Sequence, residues 1–296
     1  MRILIAACYR AAYLLHHKLF LRKGKPLQHS KLVVVGSYLT GGAGKTPFCM
    51  WLADHVASGG KKVAILCHPY AYDEAEMLRR RFAGHPLVQV VVTGNRYRTA
   101  RKLDRTRQFG TILCDDGFED SRLAGATFFV LLWGKPPTQL RDLWPIGKNR
   151  SLRKDHGSVI ELQCSGAAPD IRFVLQGFSN QDRVQPGSPR HPTGDYRQVN
   201  LFCGVGDPVR FLRDVQSVGI KIQRSIFRRD HDRNFAKAFA QELANHRNED
   251  YIISQKDAAR LPDNFAQKSQ VFIANQTIVL NESILSRVDL ALKNSP

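Results

Sequence analysis

Residues 32–48, LVVVGSYLTGGAGKTPF, combine an apolar run, a glycine-rich turn and a stretch that can begin a helix. The apolar run predicts a buried strand, and Pro47 is tolerated in a first helical turn because its missing N–H costs no hydrogen bond there. Glycines between the two elements let backbone N–H groups close around phosphate oxygens, and a helix N-terminus adds partial positive charge. This order predicts a phosphate-binding loop that follows a strand of an α/β sheet.

The loop departs from the standard pattern G-x-x-x-x-G-K-[ST], because Leu39 stands where the first glycine is usual. A chance glycine turn rarely carries G-K-T between a strand and a helix, so we interpret it as a nucleotide loop with an unusual entrance. Lys45 is expected to reach the β- and γ-phosphates of the nucleotide, and Thr46 to hold Mg²⁺. The residues predicted to contact the nucleotide are Gly41, Gly42, Ala43, Gly44, Lys45 and Thr46.

A second metal-binding element is predicted at TILCDDG (111–117). Asp115 and Asp116 follow an apolar strand and would lie at the carboxyl edge of the sheet, where α/β proteins bind ligands. An Asp-Asp-Gly turn without a ligand is the alternative. Beside a phosphate loop, a role for both carboxylates in holding Mg²⁺ is the better interpretation.

Strand-like runs alternate with helical stretches along most of the chain, which predicts parallel sheets covered by helices. The fold class is therefore α/β: a P-loop NTPase-like parallel sheet sandwiched by helices, with a second, smaller α/β domain. The predicted strands are 32–37, 62–67, 88–93, 111–117, 127–133, 157–162, 199–205, 221–227, 251–254 and 271–274, with a helix from Glu282. The predicted divisions are an N-terminal helix (1–30), the nucleotide domain (31–165), a Pro- and Gly-rich linker or hairpin (166–198) and the second domain (199–296).

The N-terminus, MRILIAACYRAAYLLHHKLFLRKGK (1–25), predicts an amphipathic helix followed by basic residues. The apolar run before Cys8 is too short for a signal peptide, and charged residues interrupt any stretch of the roughly 20 residues that spans a bilayer. Its composition suits a helix in the membrane interface, with Lys18, Arg22, Lys23 and Lys25 facing anionic headgroups. A first helix packed on the domain is the alternative, and both can hold at once.

The net charge of +18 and the pI near 10.0 indicate a polyanionic partner. Nucleic acid, an anionic membrane and a phosphorylated substrate all satisfy this charge, which does not choose among them. The six cysteines are scattered without a C-x-x-C pair and are expected to be reduced core residues of a cytosolic protein.

A series of stretches resembles, in order, the motifs of the tetraacyldisaccharide 4′-kinases. Besides the loop ending GGAGKTP (41–47), these are VVTGNRYRTA (91–100), DDGFED (115–120), WPIGKNRSLR (144–153), CGVGDPVRFL (203–212), RDHD (229–232) and SQKDAARL (254–261). The resemblance implies an enzyme that uses ATP and Mg²⁺ to phosphorylate the lipid A precursor disaccharide. It further implies a peripheral protein on the cytoplasmic face of the inner membrane, with an anionic lipid surface as partner, no nucleic acid and a monomeric state.

The resemblance also implies a catalytic pair, with Asp73 in AYDEAEML and His231 in RRDHDRNF acting beside Lys45. Transfer to a sugar hydroxyl calls for a base within hydrogen-bond reach, and a histidine beside a carboxylate can orient it or share its proton. From the residues alone, the preferred interpretation is that Asp73 is an acid in a first helical turn and that His231 is a surface histidine or a helix cap.

The chain also departs from the family pattern. The S-R-G-Y-G segment of the family is Cys67 to Ala71 here, and the D-D-G-x-Q-H and T-E-K-D motifs carry Glu119, Asp120 and Gln255. A divergent paralogue that phosphorylates another glycolipid and a P-loop nucleotide switch without kinase activity therefore stay open as alternatives.

Overall fold

The structure is a computed structural model that describes residues 2–20, 24–39, 41–123, 125–152, 159–179, 199–262, 265 and 268–293. Its contacts divide the chain into two compact units. The first, here called the phosphate-loop unit, comprises Met1–Tyr70, Gly84–Arg172 and Ile278–Pro296. The second unit comprises Ala71–Ala83 and Phe173–Thr277.

Helices and strands alternate as the sequence predicts. The helices are α1 (Arg2–Phe20), α2 (Lys45–Ser58), α3 (Tyr72–Arg81), α4 (Arg96–Thr106), α5 (Pro208–Ser217), α6 (Phe235–Asn245), α7 (Gln255–Ala258) and α8 (Glu282–Lys293). The strands are β1 (Lys31–Ser37), β2 (Val63–Cys67), β3 (Val88–Val92), β4 (Thr111–Asp115), β5 (Thr127–Leu132), β6 (Val159–Gln163), β7 (Ile171–Ser179), β8 (Val199–Cys203), β9 (Ile222–Phe227), β10 (Asp250–Ser254) and β11 (Val271–Leu280).

The phosphate-loop unit contains a six-stranded sheet in the order β3-β2-β4-β1-β5-β6, and every neighbouring pair is parallel. Strands β2, β4 and β5 are buried throughout, because helices cover a parallel sheet on both faces. The pairing of Val35 with Asp115 places the carboxyl ends of β1 and β4 side by side. The predicted P-loop NTPase-like α/β fold is confirmed.

The second unit contains a five-stranded sheet in the order β7-β11-β10-β8-β9. Its core includes a cluster of aromatic rings on one side of the sheet, formed by Phe202, Phe235, Phe239 and Tyr251. The centroids of Phe202 and Phe239 lie 4.9 Å apart, within the range where aromatic pairs add stability beyond area burial.

The predicted domain ranges and the observed units differ in two places. Helix α3 falls within the predicted nucleotide domain, yet its contacts group it with the second unit. Arg80 of α3 donates hydrogen bonds to the carbonyls of Ala258 and Leu261, at 3.4 and 3.3 Å. Within the predicted linker, residues 171–179 form strand β7, while residues 180–198 lie outside the described residues.

Helix α1 packs on the phosphate-loop unit through one side. Ala6 is fully buried, and the Tyr9 ring makes an edge contact with Trp144 at 6.2 Å between centroids. The opposite side exposes apolar residues, namely Ile3, Leu4, Ile5, Leu14, Leu15 and Leu19. None of the described helices combines the length and apolar character needed to cross a bilayer. The side chain of Lys18 and all of Arg22 and Lys23 lie outside the described part of the chain.

Candidate active site

The glycine turn between β1 and α2 has the backbone conformation that a phosphate cradle requires. Gly42 and Gly44 have φ angles of 70° and 81°, in the left-handed region that side chains with a Cβ rarely adopt. Gly44 immediately precedes α2, so the open N–H groups of the first helical turn begin at the loop. The Trp133 indole donates to the Ala43 carbonyl at 3.0 Å and fixes the turn to the end of β5.

The unusual entrance at Leu39 is held by Arg150. The Arg150 guanidinium donates to the Leu39 carbonyl at 3.1 Å, and its backbone N–H donates to the Tyr38 carbonyl at 2.7 Å. A neighbouring chain segment thus organises the entry to the loop, where the standard pattern relies on a glycine.

Thr46 and Asp115 meet at the carboxyl edge of the sheet. The Thr46 hydroxyl donates to Asp115 Oδ2 at 2.8 Å, and both side chains are buried. Their contact follows from the fold, because the loop leaves β1 beside the end of β4. A hydroxyl beside a carboxylate is the oxygen pair that P-loop enzymes use for Mg²⁺.

Asp116 lies between two cations. Its Oδ2 is 3.7 Å from the Lys45 ammonium and 3.3 Å from the Arg150 guanidinium. Burial alone would raise the pKa of Asp116, but the charges of Lys45 and Arg150 hold that pKa well below its usual range. Asp116 is therefore an anion at neutral pH. Thr46 and Asp115 form an oxygen pair that fits a hard cation such as Mg²⁺.

The segment after Asp116 packs directly against β1. A Cβ added at Gly36 would lie 2.4 Å from the Cβ of Phe118, so a larger residue would push DDGF away from the loop. The glycine of the Val35-Gly36 pair therefore has a packing role that the sequence does not indicate.

Glu119, which replaces the glutamine of the family motif, connects three parts of the phosphate-loop unit. Its carboxylate accepts hydrogen bonds from the hydroxyls of Ser151, at 2.5 Å, and of Tyr13 in α1. Asp120, the other departure in this motif, accepts two hydrogen bonds from the Arg122 guanidinium at 2.8 Å each. Both replacements are thus paired within the fold.

Asp73 and His231, which are 158 residues apart in the sequence, form a hydrogen-bonded pair in the second unit. His231 Nδ1 lies 2.8 Å from Asp73 Oδ1. The Asp73 side chain is fully buried in the first turn of α3, whereas a third of the His231 side chain is exposed. His231 has a φ of 56°, a strained conformation for a non-glycine residue that turns its ring toward Asp73.

Two cations from the segment around α7 surround the pair. Arg260 contacts the second oxygen of Asp73 at 2.6 Å and is almost fully buried. Lys256 lies 2.8 Å from Asp230 and 3.7 Å from Asp73. Arg260 also donates to the Gly204 carbonyl at 2.9 Å, which attaches the pair to the end of β8.

The surroundings of the pair shift both pKa values. Burial alone would raise the pKa of Asp73, but the hydrogen bond from His231 and the charges of Lys256 and Arg260 hold that pKa well below its usual range. The same hydrogen bond raises the pKa of His231 above its ordinary value, against the opposing effect of burial. Asp73 is therefore a constant anion, and His231 is the member of the pair whose charge changes near neutral pH.

One oxygen or nitrogen atom from each of Asp73, Asp230 and His231 lies within 4.8 Å of the other two, a spacing that could hold a metal. However, the carboxylates already pair with Lys256 and Arg260. The hydrogen bond between His231 Nδ1 and Asp73 also occupies a ring nitrogen and a carboxylate oxygen of this group, so the arrangement suits proton transfer better than metal binding.

The structure thus places the predicted residues in two groups. Lys45, Thr46, Asp115 and Asp116 meet in the phosphate-loop unit, and Asp73 and His231 meet in the second unit. The sequence did not single out Arg260 or Arg96, whose guanidinium donates to the Asp115 carbonyl at 3.1 Å. A signal for Arg260 exists, because it stands at the second lysine of the family motif T-E-K-D-x-x-K-L.

Comparison with known proteins gives a consistent set of matches. A family model described as LpxK, tetraacyldisaccharide-1-P 4′-kinase, matches residues 3–79 and 68–293. The tetraacyldisaccharide 4′-kinase of Chlamydia pneumoniae is 24% identical over 79% of this chain and 73% of its own length. The enzyme of the same name from Psychromonas ingrahamii is 26% identical over 96% of this chain and 92% of its own. The enzyme of the same name from Pseudomonas fluorescens is 29% identical over 63% of this chain and 62% of its own length.

A solved structure has the same fold. The crystal structure of LpxK from Aquifex aeolicus, described as an "apo" form in complex with ATP, matches with a TM-score of 0.64. The two chains are 20% identical, and the match covers 98% of each.

Proposed function

The chain belongs to the tetraacyldisaccharide-1-P 4′-kinase family, and from this premise we propose how its own residues carry out phosphoryl transfer. The protein is an ATP-dependent phosphotransferase of lipid A biosynthesis, and its acceptor is the 4′-hydroxyl of the tetraacyldisaccharide 1-phosphate. The observation that best supports a working transferase is the Asp73–His231 pair, which a nucleotide switch would not need.

The phosphate-loop unit binds the donor. The N–H groups of the glycine turn surround the phosphates of ATP, and Lys45 offsets charge on the γ-phosphoryl group as it leaves ADP. Thr46, Asp115 and Asp116 would hold Mg²⁺, which neutralises charge on the β- and γ-oxygens when bound. Arg150 keeps the loop entrance and Asp116 in place.

His231 removes the proton from the acceptor hydroxyl. Asp73 is a poor candidate for this step, because it is fully buried and its oxygens already contact His231 and Arg260. Because Nδ1 of His231 is hydrogen-bonded to Asp73, the other ring nitrogen, Nε2, accepts the proton. Asp73 fixes the tautomer and stabilises the imidazolium that forms, as carboxylates paired with catalytic histidines do.

Phosphoryl transfer needs only ATP and the acceptor as reactants. The 4′-oxygen attacks the γ-phosphorus, the bond from that phosphorus to the β,γ-bridging oxygen breaks, and ADP leaves. The hydroxyl proton passes to His231 Nε2 and then to solvent. Lys256 and Arg260 keep Asp73 ionised throughout, so the carboxylate does not compete for the proton.

Helix α1 supplies the contact with the membrane that carries the acceptor. Its outward side exposes Ile3, Leu4, Leu14 and Leu15, while Ala6 anchors the other side. Such a helix lies in the interface plane with its apolar side toward the acyl chains. The protein then acts as a monomer on the cytoplasmic face of the inner membrane, with anionic lipid and not nucleic acid as its polyanionic partner.

The reaction is tested with purified protein, γ-labelled ATP, Mg²⁺ and tetraacyldisaccharide 1-phosphate in neutral detergent micelles. We expect label on the 4′-oxygen of the acceptor and none on an acceptor whose 4′-hydroxyl is methylated. ATP hydrolysis without labelled lipid would instead favour a nucleotide switch. Label on another glycolipid, with none on this acceptor, would favour the paralogue.

The pH dependence of kcat/KM follows from the raised pKa of His231. A base must be neutral to accept a proton, so activity is expected to rise with pH through a midpoint above about 6.5, the ordinary histidine value. In Asp73→Asn the residual activity should have its midpoint at lower pH, since the hydrogen bond to Asp73 is the main cause of the raised pKa. The profile is measured at constant ionic strength, and an unchanged midpoint in the variant would exclude His231 as the titrating base.

A further inference from the structure

The outward face of α4 is strongly basic. Ala100 and Asp104 lie one turn apart on the buried side, with Arg96 one turn before them. The opposite side carries Arg98, Arg101, Lys102 and Arg105, here called the α4 basic face. Three of these residues are exposed, while Arg101 is half-buried over the ring of Tyr97.

The one acidic residue of α4 does not neutralise this face. Asp104 accepts hydrogen bonds from the backbone N–H groups of Gln28, His29 and Ser30, at 3.0, 2.8 and 2.8 Å. Arg98, Lys102 and Arg105 form no ion pair with another described residue. Their charges therefore remain available to an external anion.

The described segment from Gly24 to Ser30 is bonded along α4. The Lys25 N–H donates to the Tyr97 hydroxyl at 2.8 Å, at the first turn of α4. Five residues after Lys25, the Ser30 N–H donates to Asp104 near the last turn of α4. The basic face and the exposed apolar side of α1 therefore belong to one compact unit.

We propose that the α4 basic face is a docking surface for the anionic headgroups of a phospholipid bilayer, in addition to the apolar side of α1. The inference rests on the proposed function, because only an acceptor in a membrane gives such a surface a purpose. Phosphodiester headgroups match the charge of the face, and its place in one unit with an exposed apolar helix favours a bilayer over nucleic acid.

The physical consequence is recruitment that depends on lipid charge and on salt. Each lysine or arginine near an anionic surface adds roughly fivefold to membrane partitioning. Because the cations are exposed, added salt screens them over a Debye length of about 8 Å at physiological ionic strength.

The test compares the full-length protein with Arg98→Gln/Lys102→Gln/Arg105→Gln in co-sedimentation with vesicles. The vesicles contain either phosphatidylcholine alone or phosphatidylcholine mixed with phosphatidylglycerol, whose headgroup is anionic. We expect the triple variant to bind anionic vesicles roughly 100-fold more weakly at low salt and neutral vesicles as the unaltered protein does.

A matched control removes three charges elsewhere. Lys221, Lys237 and Arg247 are exposed residues of the second unit, and their replacement by glutamine causes the same change in net charge. We expect this control to lose less than fivefold in binding. Equal losses in the two variants would show that net charge and not the α4 basic face decides docking, and would overturn the proposal.

A second measurement separates this proposal from the proposed reaction. In neutral detergent micelles the α4 triple variant should phosphorylate the acceptor as fast as the unaltered protein, because none of its three residues contacts the reacting groups. If neither protein phosphorylates the acceptor, the proposed function fails while the vesicle result still decides the docking surface. Undiminished binding of the variant to anionic vesicles, or tighter binding of the unaltered protein to duplex DNA than to those vesicles, would overturn the docking proposal.

Discussion

Replacing Lys45 with alanine is expected to lower kcat about 1,000-fold, because it removes the cation that offsets charge on the transferring phosphoryl group. Lys45 begins α2 directly after the glycine turn, and its ammonium lies 3.7 Å from Asp116. Since that charge matters most in the transition state, kcat should fall much more than the affinity for ATP. Single-turnover transfer of label to the acceptor measures the effect.

A matched control is Lys62→Ala, which removes an exposed cation of the same unit just before β2. It should change kcat less than threefold, about the size expected for a residue that touches no reacting group. The fold of Lys45→Ala should persist, since Asp116 keeps its contact with Arg150 at 3.3 Å. Lys45→Ala activity within tenfold of the unaltered protein, with an unchanged thermal transition, would remove Lys45 from the mechanism.

Replacing Asp73 with asparagine is expected to lower kcat by about 10²–10⁴, the range for loss of acid–base catalysis. Asparagine keeps the volume of the side chain but gives His231 Nδ1 a weaker partner and does not stabilise the imidazolium. Asparagine is preferable to alanine, because alanine would leave Arg260 without its closest partner in a buried setting. Loss of one member of a buried ion pair costs about 3–5 kcal/mol in stability, which would obscure the catalytic effect.

The control for Asp73 is Asp232→Asn, at a nearby carboxylate that pairs with Arg228 at 2.7 Å. It should retain transfer within about threefold, because asparagine keeps a side-chain oxygen that can accept from Arg228 and from the Asn234 N–H. The double variant Asp73→Asn/His231→Gln should be scarcely slower than the slower of its parents, because residues that act as a unit have non-additive effects. Strictly additive losses, or full activity in Asp73→Asn, would show that the two residues do not work together.

The strands and the phosphate loop could be predicted because their signals are local. Near-continuous apolar runs such as TFFVLL (127–132) belong to buried parallel strands, and the G-K-T triplet must follow a strand. The neighbouring positions of Thr46 and Asp115 were also predictable, since the loop before Thr46 leaves one strand of the sheet and Asp115 ends another. By contrast, β7 (Ile171–Ser179) was missed, because its alternating, half-exposed residues resemble the polar stretch that follows.

The sequence by itself determined the α/β class, the phosphate loop and the carboxylates at the edge of the sheet, because each depends on residues close together in the chain. Only the tertiary structure decided which member of the Asp73–His231 pair is buried and which is open to a substrate. It also decided that Arg260 and Lys256 hold Asp73 as an anion and that Arg150 supports the entrance at Leu39. These properties arise from burial and from charges brought together over more than 100 residues, and no local pattern records such distances.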